Sequence, residues 1–165
     1  MEIIFYCVPL FPLLIRFLFI SLVRGNLTKV LPEPENDRAE IRSYILGLGG
    51  FSFTALVALI LLAPSIQKDI QYSIYYIFLS FLSYFFALNL QGYKNKRWHD
   101  IISDALIETA SLCLILTVVS LLMVSSLGQI FIYSISILAL SIWLLDFIIR
   151  LFIQIDCLDN EGEQK

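Results

Sequence analysis

The segment from Thr109 to Leu145 contains no Asp, Glu, Lys or Arg and is dominated by aliphatic residues. A run of about 20 apolar residues is long enough to cross the hydrocarbon core of a bilayer as a helix. The polar sequence from Ser125 to Gln129 divides the segment and is typical of a tight turn. The segment therefore predicts two membrane-spanning helices that form a hairpin.

Composition extends this conclusion to the whole chain of 165 residues. Hydrophobic residues make up 59% of the chain and charged residues only 15%, whereas soluble domains carry about 25% charged residues. The mean hydropathy is +0.84. Because so few polar side chains cannot cover the surface of a soluble domain, we predict an all-α integral membrane protein. The small net charge of −3 argues against nucleic acid as a partner.

Apolar blocks separated by polar or proline-containing segments predict five transmembrane helices. The amino-terminal block lacks a basic start and a small-residue cleavage site, so we expect it to be retained as a span. Residues 1–155 are predicted to form one transmembrane domain, followed by an acidic disordered tail at 156–165. The predicted spans cover residues 3–23, 43–63, 72–90, 101–124 and 130–153.

Lysine and arginine residues are distributed unevenly between the two sides that these spans define. With five spans, the first linker, the third linker and the carboxyl-terminal end share one side, and the opposite side carries only Lys68. Cytoplasmic loops are enriched in basic residues. We therefore predict the amino terminus outside and the carboxyl terminus in the cytoplasm. The basic side carries Arg24, Lys29, Arg38, Arg42, Lys94, Lys96, Arg97, Arg150 and Lys165.

A cluster of ionisable side chains is predicted within the cytoplasmic half of the spans, where an uncompensated charge is costly. Glu108 lies eight residues, or about 12 Å, beyond Asp100 along the fourth span. Arg16 lies at a similar depth in the first span. We therefore expect Arg16 to pair with Glu108 or Asp104. The cluster consists of Arg16, Asp104, Glu108, Asp146 and Arg150.

Each charged residue also has a simpler explanation. Asp100 and Asp104 are acids near the start of a helix, where the macrodipole stabilises negative charge. Arg16 is long enough to reach the headgroups while its aliphatic stem stays in the hydrocarbon. Asp146 and Arg150, at i and i+4, form an interfacial ion pair in this reading. An Arg16–Glu108 pair serves either to fix helix packing or to move ions or protons.

Two stripes of small residues are candidates for close helix packing. Small side chains at every fourth position allow transmembrane helices to approach closely. The stripe on the second span could pack against the stripe on the fourth, or the latter could line a narrow path. Glycine is also common in membrane helices for other reasons. The stripes are Gly50, Thr54 and Ala58 on the second span, and Ala105, Thr109 and Cys113, continued by Thr117, on the fourth.

Catalytic and metal-binding patterns are absent from the sequence. It contains no nucleophile elbow, no phosphate-binding loop and no paired histidines on a span. His99 beside Asp100 could bind a divalent ion or titrate near neutral pH, although a single interfacial histidine usually does neither. The three cysteines are interpreted as free thiols. We therefore expect no enzymatic activity, no metal and no cofactor.

Two functions fit these patterns. The first is an oligomeric ion or solute channel, or a transport component, with the charged cluster in its cytoplasmic half. The second is a non-catalytic structural or accessory subunit of a larger membrane complex. Both place the chain in the plasma or inner membrane. The expected partners are the lipid bilayer and either further copies of the chain or other membrane subunits.

Overall fold

A computed structural model describes residues 6–22, 35–62, 70–92, 97–125 and 127–162. Its helices are α1 (Phe11–Leu22), α2 (Glu35–Leu62), α3 (Gln71–Gly92), α4 (Arg97–Val124) and α5 (Gln129–Gly162). A 3-10 turn, Val8–Leu10, precedes α1. No strand occurs within these ranges, so the all-helical prediction is confirmed for them. The basic residues predicted at 24, 29, 94, 96 and 165, together with Lys68 and the carboxyl-terminal residues 163–165, lie outside them.

Four of the helices are long and apolar enough to cross a membrane. Their apolar segments are Ala39–Leu61, Gln71–Gln91, Trp98–Val124 and Gln129–Phe152, close to the second to fifth predicted spans. The apolar helical segment at the amino-terminal end is shorter, Val8–Leu18. Pro9 lies in the 3-10 turn and Pro12 in the first turn of α1. Tyr6 and Cys7 are α-helical, and the 3-10 turn separates them from α1, since proline removes a backbone donor and fixes φ.

The chain divides into two compact units, residues 1–125 and 126–165. The first contains α1 to α4, and the second contains α5. Within the first unit α3 packs against both α2 and α4, and α1 packs against α4. The prediction of one domain over residues 1–155 is not tested by this division.

Helices α3 and α4 meet along two rows of small side chains spaced by seven residues. Ser73, Ser80 and Ala87 form the row on α3, and each is fully buried. The Ser80 hydroxyl donates to the carbonyl oxygen of Ala110 at 3.0 Å. The Ser73 and Ser120 hydroxyl oxygens lie 2.6 Å apart. The row on α4 is Ser103, Ala110 and Thr117. A heptad spacing of small residues lets antiparallel helices pack closely along their length.

Helix α2 packs on α3 through a different stripe from the predicted one. Gly50, Thr54 and Ala58 are exposed, and a Cβ atom added at Gly50 would meet nothing within 4 Å. The buried face of α2 instead carries Ile45, Ser52, Leu56 and Leu59. The predicted contact between the Gly50–Thr54–Ala58 stripe and α4 is therefore not made in the described ranges. The reason is that larger apolar side chains on the neighbouring face bury more surface against α3.

Cys113 offers a built-in reporter of folding, because it is fully buried whereas Cys7 is exposed. In a background with Cys7→Ser and Cys157→Ser, Cys113 is the one remaining thiol. Its reaction with a maleimide in detergent should be slow in the folded chain and fast after unfolding. The Cys113 assay, as we call this measurement, applies to every stability comparison below.

Adjacent glycines on α2 distinguish the observed packing from the predicted one. A Cβ atom at Gly49 would lie 3.5 Å from Cβ of Tyr84, so the larger side chain of Gly49→Leu should force α2 and α3 apart. We expect Gly49→Leu to destabilise the chain by about 1–3 kcal/mol. Gly50→Leu, which faces open space, should change stability by less than about 0.5 kcal/mol. Equal losses for both variants in the Cys113 assay would contradict the observed register of α2 on α3.

The second unit is a single helix whose bounds run to Gly162. The helix therefore includes residues 156–162, which the sequence predicts as part of a disordered tail. No proline or glycine interrupts the sequence before Gly162, so nothing in the covalent structure ends the helix earlier. The Trp143 and Phe147 rings stack one turn apart, with centroids 5.4 Å from each other.

Candidate functional site

The most unusual feature of the first unit is a buried ion pair between Arg16 on α1 and Glu108 on α4. The Arg16 Nε atom donates to Glu108 Oε2 at 3.1 Å, and Nη2 donates to Oε1. Both oxygens of the carboxylate are thus engaged by one guanidinium, a geometry that only arginine provides. Only 1% of the Arg16 side chain and 4% of the Glu108 side chain are exposed.

The helix directions explain why these two side chains meet. The Tyr75 hydroxyl on α3 donates to the carbonyl oxygen of Tyr6 at 3.2 Å. Tyr75 lies at the end of α3 that contacts the last turns of α4 through Ser73 and Ser120. Tyr6 therefore lies near the end of α4, whereas Arg16 contacts Glu108 in its first half, so α1 and α4 run in opposite directions. Arg16 then reaches the first half of α4, about 16 Å from its beginning.

Burial determines what this pair can do chemically. Removing two charges from water is expensive, and the mutual attraction offsets that cost only when the geometry is good. Here the two N–H to oxygen bonds engage both carboxylate oxygens of Glu108, so its charge is paired where it is buried. An ion pair of this kind fixes the rotation and the depth of α1 against α4. A permeation site, by contrast, needs a carboxylate that can exchange partners with water or with ions.

A groove beside the pair is apolar. It has a volume of about 420 Å³ and lies between the first helix and α4. Among the described residues Arg16 is the one charged residue of its lining, and the other lining side chains are aliphatic or aromatic. Those lining residues are Leu10, Leu13, Leu14, Phe17, Ile102 and Ala105. Nothing in this lining could replace the hydration shell of an ion.

The other acids of α4 lie nearer its start. Asp100 lies in the first turn, because α4 begins at Arg97, four residues before the predicted span. This position agrees with the interpretation of Asp100 as a helix-start acid. Asp104 is partly exposed, one turn before Glu108. Of the two predicted partners of Arg16, the structure places Glu108 against the guanidinium.

His99 is partly exposed, and its ring lies against Trp98, with centroids 3.8 Å apart. Among the described residues no group of three or more His, Cys, Asp or Glu side chains could hold a metal ion. Within these ranges His99 therefore has no group of neighbouring side chains that could complete a metal site.

The small-residue stripe of α4 is buried. Ala105, Thr109 and Cys113 are each at most 1% exposed, and Thr117 follows at 4%. The Thr117 hydroxyl donates to the Cys113 carbonyl oxygen at 2.8 Å. The stripe thus lies in the packed interior, although its predicted counterpart on α2 is exposed. Its role in helix packing stays a prediction.

Asp146 and Arg150 on α5 form the predicted i, i+4 pair, with Nε donating to Oδ2 at 2.8 Å. Their side chains are 58% and 51% exposed. Exposed pairs contribute little where water and headgroups reach both charges, and Arg150 lies two residues before the apolar segment ends at Phe152. We expect Arg150→Met to change stability by less than about 1 kcal/mol in the Cys113 assay. A loss of several kcal/mol would mean that Arg150 has a structural role beyond this pair.

Sequence reasoning missed the hydroxyl contacts that join α2, α3 and α4. Besides the α3–α4 bonds described above, the Ser52 and Ser80 hydroxyl oxygens lie 3.3 Å apart. Tyr84 and Ser111 make a further contact at 3.3 Å. The sequence indicates these contacts by serine and alanine at seven-residue spacing. The predicted stripes follow a four-residue spacing and therefore do not include them. These hydroxyls are used in contacts between helices.

No protein-family model, no curated protein and no solved structure matches the chain. The function is therefore inferred from the geometry of the described residues.

Proposed function

We propose that the chain is a small multi-pass membrane protein that serves as a non-catalytic structural or accessory subunit of a larger membrane complex. The observation that carries this proposal is the Arg16–Glu108 pair, which is buried, engages both carboxylate oxygens and borders only an apolar groove. Its intramembrane charges hold α1 on α4. This use of charge stabilises a scaffold of helices and requires no passage of solute.

The contact between α3 and α4 supports the same function. Its small, hydroxyl-bearing rows close the interface by direct bonds, such as Ser80 to the Ala110 carbonyl oxygen. A water-filled path between these helices would need polar groups that face an opening. Within the described residues, the groove beside the Arg16–Glu108 pair is lined by apolar side chains apart from Arg16.

The competing hypothesis is an oligomeric ion or solute pathway, which requires several copies of the chain to enclose a cavity. The mass of the complex distinguishes the two. Extracted gently from its native membrane, the tagged chain of 18.9 kDa should migrate in a particle that contains at least one different polypeptide in fixed proportion. A particle whose mass is a whole multiple of the chain's own mass would contradict the accessory function and favour the pathway.

We further propose that five segments cross the membrane, with the amino terminus outside and the carboxyl terminus in the cytoplasm. Support comes from the basic residues of the alternate linkers and from the antiparallel directions of α1 to α4. A reporter that is active only in the cytoplasm should give signal when fused after Lys165, and none when fused after Ser126. The reverse pattern, or equal signal at both sites, would contradict this topology.

A further inference from the structure

A second groove, of about 390 Å³, lies between α2 and α3 on the face of the unit that carries Gly50. Its lining includes Ile45, Gly50 and Phe53 from α2, and Phe81, Phe85 and Leu88 from α3. The Phe53 and Phe81 rings meet with centroids 5.4 Å apart. Gly50 leaves space, because a Cβ atom there would meet nothing within 4 Å. The groove is therefore long, apolar and open on one side.

An arginine closes one end of this groove. Arg42 precedes Ile45 by one helical turn, and its Nη2 atom donates to the carbonyl oxygen of Gln91 at 2.5 Å. Gln91 follows Leu88 by one turn, so Arg42 joins the two helices at the point where the groove ends. The apolar segment of α2 begins at Ala39 and that of α3 ends at Gln91. Arg42 consequently lies at the level where hydrocarbon meets lipid headgroups.

From these positions we propose that the groove binds an anionic phospholipid, with its phosphate on Arg42 and one acyl chain along Ile45, Gly50 and Phe53. A guanidinium carries five N–H donors, and the bond to Gln91 uses one of them. Basic residues beside transmembrane helices on the cytoplasmic side bind anionic headgroups. Residues 42 to 53 cover about 16 Å of helix, which gives an acyl chain a continuous apolar wall.

Two features near Arg42 bear on this proposal. The carbonyl oxygen of Gln91 belongs to the last turn of α3, where carbonyls lack a helical partner, so Arg42 also caps that helix. Capping alone would give no preference among lipids. Glu40 is exposed on the same helix, but residues two apart do not share a helix face. Among the side chains that the structure describes there, the charge at the end of the groove is that of Arg42.

The test is native mass spectrometry of the full chain released from nanodiscs that contain equal amounts of phosphatidylglycerol and phosphatidylcholine. Wild type should retain phosphatidylglycerol at least about five-fold more often than phosphatidylcholine, as expected for one arginine at a lipid surface. Arg42→Gln should bring the ratio close to one, and Arg42→Lys should retain part of the preference. Gly50→Leu should reduce the retention of both lipids, because the new side chain fills the groove.

Matched variants separate this site from general effects. Gly47→Leu introduces the same side chain on the same helix, also into open space, but outside the groove lining, and should leave lipid retention unchanged. Arg150→Gln removes an exposed arginine from α5 and should leave the lipid ratio unchanged. The Cys113 assay confirms that each variant is folded.

Three results would overturn the proposal. One is equal retention of the two lipids by wild type. Another is a ratio that Arg42→Gln leaves unchanged, or that Arg150→Gln lowers equally. The third is a second polypeptide that occupies the groove in place of lipid, seen as wild-type particles that carry that polypeptide and lose it in Gly50→Leu.

Discussion

Replacing Arg16 by Met is expected to destabilise the folded chain by about 3–5 kcal/mol, because it leaves the Glu108 carboxylate buried without its partner. Glu108→Met should have a similar effect, since it leaves the guanidinium of Arg16 uncompensated. The double variant Arg16→Met with Glu108→Met should recover most of the loss. Two apolar side chains of similar volume replace the pair at little cost, and both charges are gone.

This double-variant cycle is measured by titrating the detergent-solubilised chain with a denaturing detergent in the Cys113 assay. Arg150→Met serves as the matched control, because it breaks an ion pair of the same chemistry whose side chains are more than half exposed. If the double variant were as unstable as the sum of the two single variants, Arg16 and Glu108 would act independently. The pair would then not be what holds α1 on α4.

Ala110→Leu is expected to destabilise the chain by about 1–3 kcal/mol, because it adds a large side chain at a fully buried position of the α3–α4 contact. Ala110 is fully buried, and its carbonyl oxygen accepts the Ser80 hydroxyl at 3.0 Å. A leucine side chain there would push α3 away and lengthen or break hydroxyl bonds on either side. The loss should therefore exceed what the volume change alone produces.

Ala58→Leu is the control for this substitution, because Ala58 lies on the exposed face of α2. It should change stability by less than about 0.5 kcal/mol. Comparable losses for Ala58→Leu and Ala110→Leu in the purified chain would contradict the observed arrangement. Such a result would mean that the Gly50–Thr54–Ala58 stripe is a packing surface within the chain, as the sequence predicts.

The class of the protein and the second to fifth helices could be predicted from the sequence, because a long apolar block has few alternatives to a membrane helix. The first span is less regular than the other four, and the proline residues in its sequence explain why. Pro9 and Pro12 lie in the amino-terminal block, where a 3-10 turn separates the α-helical residues Tyr6 and Cys7 from the 12-residue helix α1. Hydrophobicity alone does not show where a proline-containing helix starts.

The pairing of Arg16 with Glu108 followed from matched depths, since a buried charge needs a partner at the same level. The face of α2 that packs against α3 could not be predicted from the sequence in the same way. Only Gly50 starts a four-residue spacing of small residues, Gly50, Thr54 and Ala58, because the same spacing from Gly49 meets Phe53 and Val57. The choice depends on how Ile45, Leu56 and Leu59 fill the space against α3, which is a property of the assembled helices.

The heptad rows of α3 and α4 were predictable in principle but were not recognised. Ser73, Ser80 and Ala87 are small but not glycine. Isolated serine and alanine residues are common in membrane helices, so their seven-residue spacing is not conspicuous in the sequence. Their importance becomes clear only when the facing row, which includes Ala110, is in register with them.

We propose that the charges of Arg16 and Glu108 hold α1 and α4 together and do not conduct protons. Proton flux into liposomes that contain the purified chain and an internal pH-sensitive dye tests it most directly. Wild type and the double variant Arg16→Met with Glu108→Met should both match empty liposomes at every pH and voltage applied. Flux through wild type that Glu108→Gln abolishes, while Cys113 stays protected, would contradict the claim and place Glu108 in a pathway.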